Sequence, residues 1–476
     1  MSGRLVVVGA GVAGLAAALR AHERAPDLEI VVLEAASRPG GSIATETVDG
    51  FRIESGADSF ITEKPWALAL CERLGLGERI IRTRPGERRT MVLHGGRLHA
   101  LPDGFLLLAP TQLWTLALSP LFTWAGKARM ALDLVRPRRR DAGDESLASF
   151  VRRRLGEEAL ERVADALVGG IYTADPERLS LAATMPRFLE MERAHGSVIR
   201  GLRATAKEGE AQAAGARYGL FASHRDGMGA LVADLAARLP AGAVRLGSPV
   251  EALDLTGRSP DGAPWRVRCS GEALHADAVV LAVPAHRAAP LVRHADADLA
   301  AGLEAIRYAS SAAITLAFRR EDVAGKLAGY GFVVPYAEGR DVIACTFSSR
   351  KYEHRAPEGY ELLRAYVGGA RRPDVMERSD DALVAGVRLE LRDILGIDAE
   401  PVLTRVQRHE RAMPQYDVGH LDRVADLEAR ARRLPGLHLA GAAYRGVGIP
   451  DCIHSGERAA DALIDALPAA LIARNG

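Results

Sequence analysis

The stretch Leu5-Val-Val-Val-Gly-Ala-Gly-Val-Ala-Gly14 decides how the rest of the chain is read. Its first four residues form a short apolar run, the mark of a strand buried on both faces of a parallel sheet. Leu15 to Ala21 read as the helix after it, and Ile30-Val-Val-Leu33 as the next strand, completing a βαβ unit. Gly9-Ala-Gly11-Val-Ala-Gly14 fits GxGxxG between strand and helix. Gly9 permits the tight turn, Gly11 lets the backbone approach a pyrophosphate, and Gly14 lets helix and strand close on each other. The helix N-terminus adds N–H donors and the positive end of a dipole. Glu34 ends the second strand 34 − 14 = 20 residues after Gly14, where a ribose-binding acid belongs. Strand, helix and acid together predict a dinucleotide site rather than a plain glycine turn.

Working outward, 476 residues exceed one ordinary domain and suggest about three, at roughly 150 residues each. With 48% hydrophobic and 26% charged residues, a large core is affordable and wholesale disorder is excluded. A net charge of +1 argues against nucleic-acid binding driven by bulk charge. The basic residues are nearly all Arg, with Lys only at 64, 127, 207, 326 and 351. Cys71, Cys269, Cys345 and Cys452 are far apart, so a disulfide scaffold or zinc ribbon is not expected and a reduced, cytoplasmic setting is. Leu5 to Val8 is too short for a signal peptide. Phe105 to Gly126 carries no charge, but Pro110 and Pro120 break it, which argues against a membrane span.

Residues 100 to 205 read as mostly helical, with helical spacing in Leu147 to Leu155 and Leu160 to Val168. Residues 202 to 219 read as a linker or loop. Val244 to Leu255 and Trp265 to Cys269 alternate like antiparallel strands, and Ala278 to Val283 is a buried run. Ala312 to Phe318, Gly331 to Val334, Val342 to Phe347 and Leu362 to Val367 are further strands. Residues 437 to 440 form a short strand before Gly441. A final helix begins at about Asp451, which can cap it. Ile453, Gly456, Ala460, Leu463 and Leu467 lie on one face of that helix. Cys452 reads as a small packed residue in its first turn, with no second cysteine near it in sequence.

Arg38-Pro39-Gly40-Gly41, shortly after the ribose acid, favours FAD over NAD because it extends the pyrophosphate site. From here the chain resembles the FAD-dependent amine oxidase and protoporphyrinogen oxidase superfamily. Glu54-Ser-Gly56-Ala-Asp58-Ser-Phe60 matches the next flavin-contacting loop, and Leu439 to Ile453 the closing FAD motif. The resemblance implies an α/β fold with α+β inserts. Its FAD-binding domain is Rossmann-type and discontinuous, formed by 1–88, 218–290 and 405–476. A helical, membrane-facing domain is inserted at 100–205, and a mixed-sheet substrate domain is formed by 89–99 and 291–404. FAD would be held by Gly9, Gly11, Val12, Ala13, Gly14, Glu34, Ala35, Arg38, Gly40, Gly41, Ser42, Gly56, Ala57, Asp58, Ser59, Val250, Gly441, Ile449, Pro450 and Asp451. The final helix would point its positive end at the flavin as charge builds there.

Amine oxidases of the superfamily place a Lys on the strand matching Tyr308 to Phe318, and here that strand has none. Leu167 to Ser180, Met191 to Ile199, Gly329 to Pro335, Tyr366 to Arg371 and Pro414 to His420 are similar to the porphyrinogen oxidase branch. That branch oxidises a porphyrinogen to a porphyrin in haem biosynthesis, with dioxygen as oxidant. The resemblance leans to the bacterial enzymes acting on coproporphyrinogen III, because of Pro450 and the run from Pro110 to Pro137. Protoporphyrinogen IX is the alternative, and amine oxidation or carotenoid desaturation remoter ones. Carried-over substrate positions are Gly170, Val333, Thr346 and Tyr366, with no catalytic side chain certain because the flavin does the chemistry. His195 and His420 read as packing or hydrogen-bonding residues.

Thr90 stands where plant and animal relatives carry a propionate-binding Arg. The nearest replacements are Arg89 and Arg97, which share a strand face unless Gly95-Gly96 resets the register. Phe105 to Leu108, Leu113, Trp114, Leu121, Phe122 and Trp124, rimmed by arginines, suit a peripheral membrane contact or simple packing. A downstream ferrochelatase is a partner the reaction allows.

Overall fold

The structure, a computed structural model, describes residues 3–85, 90–102, 105–106, 109–110, 112–141, 143–210, 220–255 and 262–467. Its first sheet is parallel, with strands in the order Val244–Arg245, Glu29–Leu33, Arg4–Val8, Ala278–Leu281 and Leu437–Leu439. Side chains alternate across it. Leu5 and Val7 pack under the helices Val12–Arg24 and Ile449–Ala466, while Val6 and Val8 pack under Trp265, Val267 and Leu299. Both faces are covered, which is why the strands read as unbroken apolar runs. The strand order reverses beside Arg4–Val8, the position where open α/β sheets take ligands.

The second sheet has seven strands, ordered Leu403–Pro414, Tyr308–Arg319, Tyr360–Gly368, Val342–Phe347, Gly331–Val333, Thr90–His94 and Arg97–Ala100. It is antiparallel except where Gly331–Val333 runs parallel to Thr90–His94. Phe332, Cys345, Leu363 and Ala365 pack on one face with helix Asp380–Leu395. On the other face Val92 and Val333 meet a helical cluster that includes Leu147–Arg154, Asp165–Tyr172 and Pro186–His195. That cluster is pinned by a fully buried ion pair. Arg154 Nε donates to Asp133 Oδ1 at 2.5 Å, and Asp133 Oδ2 accepts from Ser197 Oγ and Ile199 N.

Several expectations change. Residues 202–210 belong to a helix, Val198–Glu210, and the rest of the expected linker up to 219 lies outside the described residues. Ala, Lys and Glu are good helix formers, and they outweigh the polar composition that suggested a loop. Val244 to Leu255 divides at Gly247 (φ +62°), so that Val244–Arg245 joins the parallel sheet and Val250–Leu255 an antiparallel one. The strand Leu403–Pro414 was not anticipated. It is an edge strand, partly exposed and rich in charge, and shows no clean alternation. It pairs with Tyr308–Arg319, and the boundary expected at residue 405 falls within it.

Phe105 to Gly126 is not one helix: it holds a hairpin of Phe105–Leu106 with Ala109–Pro110, a short helix Leu113–Leu118, and the start of another at Trp124. Among the described residues no helix is long and apolar enough to cross a membrane.

Candidate functional site

The glycine motif sits at the end of Arg4–Val8 as its spacing required. Gly9 has φ +100°, and a Cβ there would lie 2.8 Å from the Ala282 carbonyl oxygen. A Cβ on Gly14 would lie 2.0 Å from the Gly9 oxygen. Both must be glycine for the protein's own packing. Gly11 differs, because a Cβ on it would meet nothing within 4 Å. Space that the protein does not fill, above a helix start with no side-chain cap and no acid in its first turn, is a cradle for an anion. Glu34 is held in place beside it, its Oε2 accepting from Ala10 N at 2.8 Å and its Oε1 from Ala36 N at 2.9 Å. Val250 opens the strand that follows Ser248, whose N–H donates to the Glu34 carbonyl.

Arg38 and the paired glycines close the next turn. Arg38 donates to the carbonyls of Pro39, Gly41 and Ile43, so it braces this turn. Gly41 faces Gly11 across the cradle, its Cβ position 3.7 Å from the Gly11 Cα. Ser42 abuts Gly56, where a Cβ would come within 2.1 Å of the Ser42 oxygen, so the 38–43 turn and the 54–59 loop are packed together. Val12, Ala13 and Ala35 belong to these same elements.

The closing motif completes the cradle from the far end of the chain. Gly456 of the final helix crosses the first helix so tightly that a Cβ would lie 2.1 Å from the Ala13 oxygen, and the Gly441 Cβ position is 3.8 Å from the Ala13 Cβ. Gly448 is the N-cap of this helix and Ile449 its first residue. Asp451 therefore does not cap it: its carboxylate, inside the first turn, takes Lys64 Nζ at 2.6 and 2.7 Å. Cys452 is buried, and burial with Asp451 nearby pushes its thiol up to about 12, so it is a packed residue and not a reactive thiolate. His420 stacks on Tyr416 at 3.9 Å, and its Nε2 lies 2.8 Å from the Tyr444 oxygen. The Tyr416 hydroxyl donates to Ala442 O and accepts from Gly446 N, so this pair props the closing loop. His195 is exposed at the end of its helix.

Facing the flavin-type loop is the second sheet. Val333, Ala344 and Tyr366 pair across three strands, and the Gly170 Cβ position stands 3.5 Å from Val333 Cγ1 and 3.8 Å from Ala344 Cβ. In the neighbouring row Thr346 pairs with Arg364. The Arg364 guanidinium lies over the Tyr366 ring at 5.1 Å and donates to the carbonyls of Ser55 and Gly56 at 2.8 and 2.6 Å. His409 Nε2 also meets the Ser55 oxygen at 2.8 Å. Asp58 is clamped by Lys351 Nζ at 3.1 and 3.2 Å and by Ser59. Burial works to raise the Asp58 carboxyl, but Lys351, with Ser59 and Arg364, overcomes it and holds it near 2. Burial likewise opposes the Lys351 charge, and Asp58 more than restores it. Burial raises the Tyr366 hydroxyl against the pull of Arg364.

Sequence reasoning missed Lys64, Lys351 and Arg364. One signal was available: in a chain that uses Arg almost everywhere, two of its five lysines stand in these ion pairs. Arg97 is not an extension of the Thr90 strand. Gly95 (φ +58°) and Gly96 (φ +74°) make a hairpin turn, so Arg97 pairs with His94 on the return strand and is exposed. Arg89 lies outside the described residues.

Residues 12–464 match the model of the flavin containing amine oxidoreductase family. The chain belongs to this family. It is 36% identical to the coproporphyrinogen III oxidase of Bacillus subtilis (strain 168), covering 96% of this chain and 97% of that one. It is 37% identical to the coproporphyrinogen III oxidase of Propionibacterium freudenreichii subsp. freudenreichii, covering 98% and 92%. Among solved structures it superposes with TM-score 0.86 and 33% identity on an Exiguobacterium sp. 255-15 protein assigned as a protoporphyrinogen oxidase, over 98% of this chain and 99% of that one. The cofactor is FAD, and the protein is an FAD-dependent oxidoreductase. The cradle fits that group: open space above Gly11, an uncapped helix start and Glu34 beside it meet the needs of a dinucleotide.

Proposed function

We propose that this oxidoreductase converts coproporphyrinogen III to coproporphyrin III in haem biosynthesis. The observation that carries this reading is the wall of Gly170, Val333, Ala344 and Tyr366 opposite the flavin loop, in a chain whose near full-length relatives are coproporphyrinogen III oxidases. The wall is broad and largely apolar, suited to a macrocycle, and the strand Tyr308–Arg319 carries no Lys. Bound FAD would supply the hydride acceptor for the porphyrinogen, with dioxygen as terminal oxidant. Over three rounds six electrons and six protons leave the substrate, and three dioxygen molecules become hydrogen peroxide. The gain of aromaticity drives the reaction, so little side-chain acid–base help is needed.

The protein's own part is to bind and orient. Gly9, Gly11, Val12, Ala13 and Gly14 offer backbone to the pyrophosphate. Glu34 and Ala35 take the ribose, and Val250 the adenosine end. The turn braced by Arg38, with Gly40, Gly41 and Ser42, closes over the phosphates. Gly56, Ala57, Asp58 and Ser59 on one side, and Gly441, Ile449, Pro450 and Asp451 on the other, frame the flavin. Tyr366 and Thr346 orient the macrocycle, with Gly170 leaving room for it against Val333. The FAD-binding part then comprises 1–88, 218–290 and the chain beyond Pro414. Residues 100–205 give the helical part, and 89–99 with 291–404 and the added edge strand give the substrate part.

Turnover of the two porphyrinogens by the purified protein tests this reading. Soret absorbance should grow with coproporphyrinogen III faster than with protoporphyrinogen IX. The reverse order would make the second the substrate, as the name of the Exiguobacterium relative suggests. Growth with neither would refute the function.

We further propose a peripheral membrane contact on the cytoplasmic face. Trp114, Leu118, Trp124 and Val135 are 66–74% exposed on neighbouring segments, and Lys127 lies over the Trp124 ring at 4.4 Å. Aromatic residues beside cations suit an anionic interface. The protein should sediment with anionic liposomes at low salt. Failure to do so would leave these residues without that role.

A further inference from the structure

The strand pairings set an order along the second sheet. Gly331, Thr346 and Arg364 form one row, tied through Arg364 to the Ser55–Gly56 loop. Val333, Ala344 and Tyr366 form the next, under Gly170. About two residues further along, roughly 7 Å at a strand rise of ~3.3 Å, the sheet ends in a small open cavity of about 30 Å³. Its lining includes Thr173, Tyr336 and three arginines, Arg340, Arg371 and Arg372. Gly169, the neighbour of Gly170, forms part of the same wall.

The cations here are unequally matched. Arg371 Nη1 donates to Asp165 Oδ1 at 2.6 Å, and Asp165 Oδ2 accepts from Tyr336 N at 2.8 Å. Arg340 donates to Asp393 at 3.0 Å on the surface. Arg372 Nη1 makes only a loose pair with Asp341 Oδ1 at 3.8 Å, while Arg378 takes Asp341 Oδ2 at 2.5 Å. The Arg372 Nε and the Thr173 Oγ1 are buried with no hydrogen-bond partner among the described residues. Buried donors of this kind are costly unless something satisfies them. The Tyr336 ring carries the guanidinium carbons of Arg371 and Arg372 at 3.6 and 4.9 Å from its centroid. Thr173 adopts φ +48°, a left-handed conformation that a β-branched residue rarely holds. It is fixed there because its N–H donates to Gly169 O and its carbonyl accepts from Ala370 N. Such local strain gathers at ligand clamps.

We infer that this cavity is a carboxylate subsite, with Arg372 its principal cation, and that it receives a propionate arm of the macrocycle lying over Val333, Ala344 and Tyr366. The inference rests on the porphyrinogen reading above. A carboxylate matches the planar fork of a guanidinium. The site lies beyond the wall on the side away from the Ser55–Gly56 loop, so an arm bound there leaves the ring itself against the wall.

The test uses the FAD-loaded protein and its Arg372→Gln and Arg340→Gln variants. Binding of coproporphyrin III and of its uncharged tetramethyl ester is followed by fluorescence quenching in one detergent. Arg372→Gln should weaken coproporphyrin III binding roughly tenfold, as expected for a lost charge-assisted bond. It should raise KM for coproporphyrinogen III with kcat little changed and leave binding of the ester unchanged. Arg372→Lys should recover part of the loss. Arg340→Gln, on the rim, should show the same acid-selective loss at a smaller size and serves if Arg372→Gln does not fold. Equal loss for acid and ester, or no loss, would overturn the subsite. Wild-type protein that turns over no porphyrinogen would instead sink the functional reading beneath it.

Discussion

Replacing Lys351 by Met removes the main charge that holds Asp58 ionised in the 54–59 loop. In the intact protein that carboxyl sits near 2 against an ordinary 3.8, because Lys351 outweighs burial. The difference amounts to ~2 kcal/mol of stability at neutral pH. Its sign is that of a depressed acid: the contribution is complete above pH 3.8 and is lost as pH falls toward 2. In Lys351→Met burial, the largest single influence, is opposed only by Ser59 and Arg364, and the expected outcome is an Asp58 carboxyl raised above 3.8. The variant then binds more protons folded than unfolded, so its stability falls as pH rises from about 4 toward 7.

Leaving one partner of a buried pair unmatched costs roughly 3–5 kcal/mol. Both side chains retain some exposure, 17% and 13%, so the lower end applies. Urea unfolding of the FAD-loaded protein at pH 4.5 and 7.5 reads this directly. The wild type should change little between the two, and the variant should be weaker at pH 7.5 than at 4.5. Asp58→Asn added to Lys351→Met should recover much of the loss. A Lys351→Met protein within ~0.5 kcal/mol of wild type at pH 7.5, with no inverted pH trend, would refute the account.

Gly11→Ala should fold normally and bind FAD poorly, whereas Gly14→Ala, whose Cβ meets the Gly9 oxygen at 2.0 Å, should lose stability itself; melting curves of flavin-free protein separate the two. Glu34→Ala should weaken FAD roughly ten- to hundred-fold, through a lost charge-assisted contact of about 1.5–3 kcal/mol, and unchanged flavin content after dialysis would refute it. Cys452, with its thiol near 12, should resist iodoacetamide in the native protein at pH 8 and react only on unfolding. Acid precipitation should release all flavin into the supernatant, because a packed thiol leaves the cofactor unlinked.

The parallel half of the molecule was legible because its signals are local. The strand at Leu5, the glycines after it and Glu34 lie within thirty residues and each has one physical reading. The strands of the second sheet were legible where both faces are covered, as in Tyr308–Arg319 and Tyr360–Gly368. Leu403–Pro414 was not, because an edge strand half in water keeps charges that hide its period. The ion pairs of the site were invisible for a different reason. Lys64 meets Asp451 across 387 residues and Lys351 meets Asp58 across 293, and no spacing rule reaches that far. Whether Arg97 continues the Thr90 strand hangs on Gly95-Gly96, and sequence alone does not say that these two glycines turn the chain.

The crossing of Gly456 over Ala13 has a consequence for how the protein is made. One half of the cradle leaves the ribosome more than four hundred residues before the other. Until that second half arrives, the first helix exposes the groove in which the final helix will lie, and the strand Ala278–Leu281 lacks its Leu437–Leu439 neighbour. Cofactor capture therefore waits until Gly456 has been made and folded onto Ala13. A message cut short, or a chain clipped before Gly456, yields a colourless product with an open apolar seam that quality-control proteases can recognise, while every full-length copy can take up its pigment and close.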